Sequence, residues 1–314
     1  EDRGLEYMFV MMNVARFGVG MEGVAVCERA YQRARDYARE RIQGFALGVR
    51  GGPRVPIVAH PDVRRMLLTM RAQAEASRAL AYVVAAALDA AEHHPDAAVR
   101  AERLAFAELL VPVVKGWSTE QGIEMASLGV QVHGGAGYIE ETGAAQHLRD
   151  ARISTIYEGT TGIQANDLVW RKLLRDRGAA FARALAAMRA DLAALPTGNV
   201  HLAVLQQRLE GALAGLETAG QWLLQTAPEK PSQAAVGAVA FLRLFGFVAG
   251  GWQMARAGAV AVKQLASGSQ DAFYTEKLVM ARVYADHLLV AAAGLADSVC
   301  GGAEGVLALS DEQI

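Results

Sequence analysis

From Tyr7 to about Gln43, apolar residues recur at three- and four-residue spacing through Phe9, Val10, Val14, Phe17, Val19, Met21, Val24, Val26 and Tyr31. That is the period of one helix face. Gly18, Gly20 and Gly23 fall inside the run, and glycines that weaken a helix point to close packing against another helix or a ligand. A loop is expected from Gly44 to Pro61, where Gly48, Gly51, Gly52, Pro53 and Pro56 crowd together. His60-Pro61-Asp62 opens a second helix to about His93, His94-Pro95-Asp96 breaks it, and a third covers roughly Ala97 to Val132. The segment Gln131-Val132-His133-Gly134-Gly135-Ala136-Gly137-Tyr138 is too rich in glycine for helix. A short helix follows through Arg149, and Thr160 or Thr161 is placed to cap a helix running to about Arg175.

Beyond Asp176-Arg177-Gly178 the pattern is plainer and richer in Ala and Leu. Helices are expected near 179–194, 200–226, 232–268 and 271–298, with turns at Pro196-Thr197-Gly198 and Pro228-Glu229-Lys230-Pro231. No strand is expected. The reading is all-α: a bundle over 1–178 and a second helical unit over 190–314, joined near 178–198. Composition agrees, since hydrophobic residues make up 53% of the chain and aromatics only 7%, leaving Ala, Leu and Val to favour helix.

A formal charge of −2 gives no electrostatic case for nucleic acid or an anionic membrane surface. Charges interrupt every apolar run, so no membrane span is expected. Cys27 and Cys300, far apart in apolar surroundings, read as buried free thiols in a reducing, cytoplasmic setting rather than as a disulfide or metal site. There is no signal-peptide pattern. The chain opens Glu1-Asp2-Arg3-Gly4 without an initiator Met and enters helical pattern at once, as a sequence starting in mid-protein does.

Three places carry residue types suited to chemistry. The glycines at 134–137 let backbone amides approach a phosphate or nucleotide edge, although a tight helix connection needs them as much. Glu158, between Tyr157 and Gly159 at a loop-to-helix junction, has the setting of a partly desolvated general base, or of an ordinary acid favouring a helix N-terminus. Arg41, in Glu40-Arg41-Ile42-Gln43-Gly44-Phe45, has the setting of a diphosphate clamp, or of a base complementing a helix C-terminus. Arg16 reads equally as a surface or buried structural arginine. His60, His133 and His147 lack metal-ligand spacing, and the tandem His93-His94 is expected in solvent.

In order and spacing these pieces resemble the acyl-CoA dehydrogenase family. The resemblance rests on the Arg16 helix, the Glu40-to-Phe45 helix end, the His60-Pro61-Asp62 start, the 131–138 segment, Leu148-Arg149-Asp150-Ala151-Arg152-Ile153, and Ile156-Tyr157-Glu158-Gly159-Thr160. It covers roughly residues 5–175, and the longer relatives with an extra C-terminal helical domain, among them enzymes acting on 3-methylthiopropanoyl-CoA, account for 190–314. The resemblance implies FAD as cofactor, an acyl-CoA substrate, an electron-transfer flavoprotein as acceptor, and a homodimer or homotetramer. It implies that Glu158 removes the α-proton of the thioester, its own amide polarising the carbonyl, with Arg16, Asn13 and Gly159 near substrate. Arg41 and Gln43 are similar to residues reaching the FAD diphosphate of a neighbouring subunit, Gln131, Gly134 and Gly135 to the cradle of its adenosine part, and Thr160 to a threonine touching the nucleotide. The sequence departs from the family at Asn13, Pro61, Gly162 and the order Gly44-Phe45. An acyl-CoA oxidase and a non-catalytic flavin or interaction protein share this scaffold. The family's N-terminal helical and β domains are expected to be absent, leaving the isolated chain a poor flavin binder.

Overall fold

The computed structural model describes residues 4–49 and 51–314, and says nothing of the side chains of Leu5, Glu6, Phe9 and Val10. Helix α1 spans Gly4–Glu40, α2 Pro61–His93 and α3 Ala97–His133, and these three long helices form the bundle that the hydrophobic period anticipates. Pro61 occupies the first turn of α2, where its missing N–H costs nothing. Asp96 caps α3 by accepting from the Ala98 amide at 2.8 Å.

The glycines of α1 are there for a neighbouring helix. A Cβ at Gly23 would lie 2.5 Å from the Ser118 carbonyl and one at Gly20 3.1 Å from the Val114 backbone, so α1 and α3 touch backbone to backbone. Gly18 has no such neighbour.

Between α1 and α2 the expected loop is partly a hairpin. Strands β1 (Ile42–Phe45) and β2 (Arg54–Pro56) pair antiparallel, which also ends the first helix at Glu40 and leaves Gln43 in a strand. The 131–138 segment is likewise partly helical. Gly134, at φ +61°, breaks α3, and Gly135–Tyr138 makes one further turn, α4. Helix α5 (Ala144–Ser154) leads to the Glu158 loop, and α6 (Thr161–Asn166) starts at the Thr160 cap. Instead of running on to Arg175 as α-helix, the chain widens into a π-helical stretch over Asp167–Leu173.

The remaining helices are α7 (Ala179–Ala193), α8 (Val200–Thr226), α9 (Pro231–Ala266), α10 (Ala272–His287), α11 (Ala291–Gly301) and α12 (Ala303–Val306). The helix expected over 271–298 is interrupted at 288–290. Two segments, Pro231–Ala266 and Ala272–Gly301, are long and apolar enough to cross a membrane by length and composition, which corrects the expectation that charges rule this out. In the first, 72% of the most apolar window is buried inside the protein, the setting of a core helix. Its Arg243 lies at the bundle surface, 3.0 Å from Glu124.

One hydrophobic core runs through both halves. It joins Leu80, Val114 and Trp117 of the bundle to Phe241, Phe245 and Tyr284 of the later helices. Trp117 is fully buried and stands edge-on to Phe247 at 5.7 Å, with a Cβ at Gly246 placed to overlap its ring. A second, smaller core of Cys27, Ala34, Ile57, Met66, Met70 and Val132 sits under the far end of α1. Cys27 is buried, but Cys300 is only half-buried. His93 is exposed as expected, whereas His94 is half-buried and accepts from the Asp96 amide at 3.1 Å.

Candidate active site

Glu158 is half-buried on the loop joining α5 to α6 and has φ +54°. The left-handed region is unfavourable for a residue with a long side chain, so neighbouring bonds must hold it there. They come from three sides. The Thr161 amide donates to the Thr155 carbonyl at 3.1 Å and closes the loop. Gln164, fully buried on α6, donates through Nε2 to the carbonyls of Glu158 and Gly159, both at 3.2 Å. Lys115 of α3 donates through Nζ to the Gly159 carbonyl at 2.7 Å. Gly159, at φ +93°, completes the turn; a Cβ there would meet Gln164 Nε2 at 2.8 Å.

The outer side of the loop is tied as well. The Tyr157 hydroxyl donates to Glu22 of α1, and Thr161 donates to Glu120 of α3 at 2.6 Å. Burial and the adjacent Glu22 push the Tyr157 phenol up to about 12. Thr160 accepts from the Ile163 amide at 3.3 Å, so its hydroxyl caps α6.

Arg16 is buried behind this loop, its Nη1 3.2 Å from Asp167 at the start of the π stretch. Of the two settings open from sequence, surface or buried, the buried one is observed. Asn13, one turn earlier on α1, is half-buried.

The residues expected to reach a nucleotide gather elsewhere. Arg41, Gln43, Gln131 and Gly134 line one cleft of ≈ 410 Å³ together with Tyr37 and His60. The hairpin is anchored there by a 2.7 Å bond between His60 Nε2 and the Gln43 carbonyl, and the Ile57 amide donates to the Arg41 carbonyl at 2.8 Å. Gly135 adjoins the cleft, exposed like Gly134, and a Cβ at either would meet no atom within 4 Å. His133 stacks on Tyr37 at 4.4 Å, and burial lowers its pKa from the ordinary value of 6.5. Arg16 and Glu40 are separated by roughly 36 Å of helix at ~1.5 Å per residue, so the cleft and the Glu158 loop are distinct places within one chain.

Lys115 and Asp167 escaped the sequence reading. Each is charged, yet Lys115 is fully buried and Asp167 nearly so. The available signal was a lone charge in the stretch Leu109–Thr119, whose other residues are all uncharged.

This is the helical fold of acyl-CoA dehydrogenase C-terminal regions. The model of the family "Acyl-CoA dehydrogenase, C-terminal domain" matches residues 2–173, and that of "Acetyl-CoA dehydrogenase C-terminal like" matches 178–310. The chain belongs to the acyl-CoA dehydrogenase family, as the motif order implies. It is 49% identical over 290 residues to the 3-methylmercaptopropionyl-CoA dehydrogenase of Ruegeria pomeroyi, covering 92% of this chain and 49% of that protein. It spans about half the length of the curated relatives it matches most extensively. Caenorhabditis elegans ACDH-11 in complex with C11-CoA superposes with a TM-score of 0.73 at 21% identity, over 92% of this chain and 45% of that one. An acyl-CoA dehydrogenase complexed with FAD from Bacillus anthracis gives 0.72 at 18% identity, over 99% and 52%. At these identities the likeness establishes the fold.

Proposed function

We propose that this chain supplies the catalytic base and one edge of the cofactor site of an FAD-dependent acyl-CoA dehydrogenase, which converts an acyl-CoA thioester to its 2,3-enoyl-CoA. The observation that carries the reading is Glu158, a half-buried carboxylate kept in a left-handed conformation by bonds to its own carbonyl and to that of Gly159. A base so fixed meets the needs of the reaction. An α-proton beside a thioester is only weakly acidic, so the carboxylate must be positioned and shielded from water.

In this reading the α-C–H bond breaks, the proton passes to a Glu158 carboxylate oxygen, and the electron pair forms the α,β double bond as hydride leaves the β-carbon. FAD would supply the acceptor for that hydride. The cleft fits a nucleotide: the Arg41 guanidinium and the Gln43 and Gln131 amides are donors around open space, and Gly134 leaves room for close backbone approach. Because the cleft is far along α1 from Glu158, a neighbouring subunit's flavin is its proposed occupant, and the enzyme is proposed to be a homodimer or homotetramer. An electron-transfer flavoprotein is the proposed electron acceptor and a cytoplasmic location the proposed setting. Membership of the family supports the acceptor.

Glu158→Gln in the flavin-loaded protein tests the base. Turnover is expected to fall below a few per cent of the parent's, and activity surviving above that level sinks the assignment. For the acceptor, flavin reduced by acyl-CoA in stopped flow is expected to reoxidise slowly in oxygen. Rapid reoxidation would mark an oxidase instead.

A further inference from the structure

Lys115 stands out as a charge that the fold has taken fully out of water. Among the described residues no carboxylate forms an ion pair with it, and its one hydrogen bond through Nζ goes to the Gly159 carbonyl at 2.7 Å. An unpaired buried ammonium opposes folding, and a methionine of similar length would fill the same space without that cost. The groups around it come from every side of the loop. Arg16 and Glu22 belong to α1, Glu120 to α3 and Glu158 to the loop itself. Burial first, then Arg16, lowers the Lys115 pKa to about 8, against the pull of the three glutamates.

We propose that Lys115 is a positioning residue for the Glu158 base, gripping the Gly159 carbonyl from inside the bundle so that the left-handed turn keeps Glu158 facing the substrate side. The proposal rests on Glu158 being the base. Gln164 holds the same Gly159 carbonyl from α6, and that of Glu158 beside it, both at the longer distance of 3.2 Å. Two donors from different helices thus converge on adjacent carbonyls, and Lys115 provides the shorter bond. Either protonation state of the amine can donate to that carbonyl, so the grip persists on both sides of pH 8. Lys115 touches no reacting atom in this scheme; it acts through the loop.

The test compares Lys115→Met with Glu158→Gln in the flavin-loaded protein. For Lys115→Met, kcat is expected to fall tenfold or more while KM stays within about twofold, as displacement of a base that leaves binding intact requires. Deuterium wash-in at the substrate α-carbon should slow in parallel. Amide exchange over residues 156–161 should quicken, with the α3 amides around residue 115 unchanged. Parent-like kcat and wash-in in Lys115→Met overturn the proposal. If that variant is too unstable to purify, Lys115→Leu, which also removes the donor, carries the same comparison: reduced kcat with faster exchange over residues 156–161 supports the proposal, and parent-like kcat overturns it. Should Glu158→Gln itself remain active, the base assignment fails. The exchange measurement then still reports whether Lys115 holds the loop.

Discussion

The two ends of α1 carry sites built on opposite plans. Near Arg16 the Glu158 loop is roped to α1, α3 and α6 and stands on the large shared core. Near Glu40 the cleft is open, with Arg41, Gln43, Gln131 and Gly134 all exposed over the smaller core. A site that must present one carboxylate in a strained conformation invests in internal bonds. One that holds a ligand with help from another surface leaves its donors free.

The contrast can be broken from either end. The largest effect is expected for Glu158→Gln: a loss of about 10²–10⁴-fold in kcat, the usual worth of a positioned general base, with flavin affinity unchanged in a titration. Asp167→Ala, which leaves Arg16 buried without its partner, should cost about 3–5 kcal/mol in urea unfolding. A cost below ~1 kcal/mol would mean that Arg16 escapes to solvent. Arg41→Ala should behave in the opposite way. Removing an exposed guanidinium leaves stability within ~0.5 kcal/mol, whereas loss of a charge-assisted contact weakens flavin retention by roughly ten- to a hundredfold. Equal flavin affinity in parent and variant would remove Arg41 from the cofactor site.

The smallest effect is a pH dependence. Lys115 has a folded pKa near 8 against an ordinary 10.5. Between those values the unfolded chain binds more protons, so this residue makes stability rise with pH across the window. With unfolding midpoints taken at intervals over it, the parent should gain on Lys115→Met as pH rises, because the Lys115 contribution is absent from the variant. Parallel curves would show that the amine is solvated.

Legibility in the sequence followed the same division. The long helices announced themselves by period, the Thr160 cap by residue type, and Gly20 and Gly23 by standing where a helix would rather have alanine. The cleft residues and Glu158 were found through motif order, since none of them is distinctive alone. The hairpin was not legible, because strands of four and three residues among glycines and prolines have too few positions to show alternation. Lys115 and Asp167 were missed for another reason. A charge within a helix is normally read as solvent-facing, and only the packing of α1, α3 and α6 around them shows that both are inside. The apolar helix α9 misled in the opposite sense, because Arg243 is half-buried and Arg256 exposed at its flanks while its body fills the core.

Trp117 has a consequence for how the chain can be divided. Two family models meet between residues 173 and 178, which invites cutting the gene at that turn. The indole belongs to the first piece, but its seat against Gly246 and Gly250 belongs to the second. Severed there, one fragment would carry a bare aromatic knob and the other the empty socket. The family boundary is thus no boundary in the core, and each half should express in soluble form only in the company of the other.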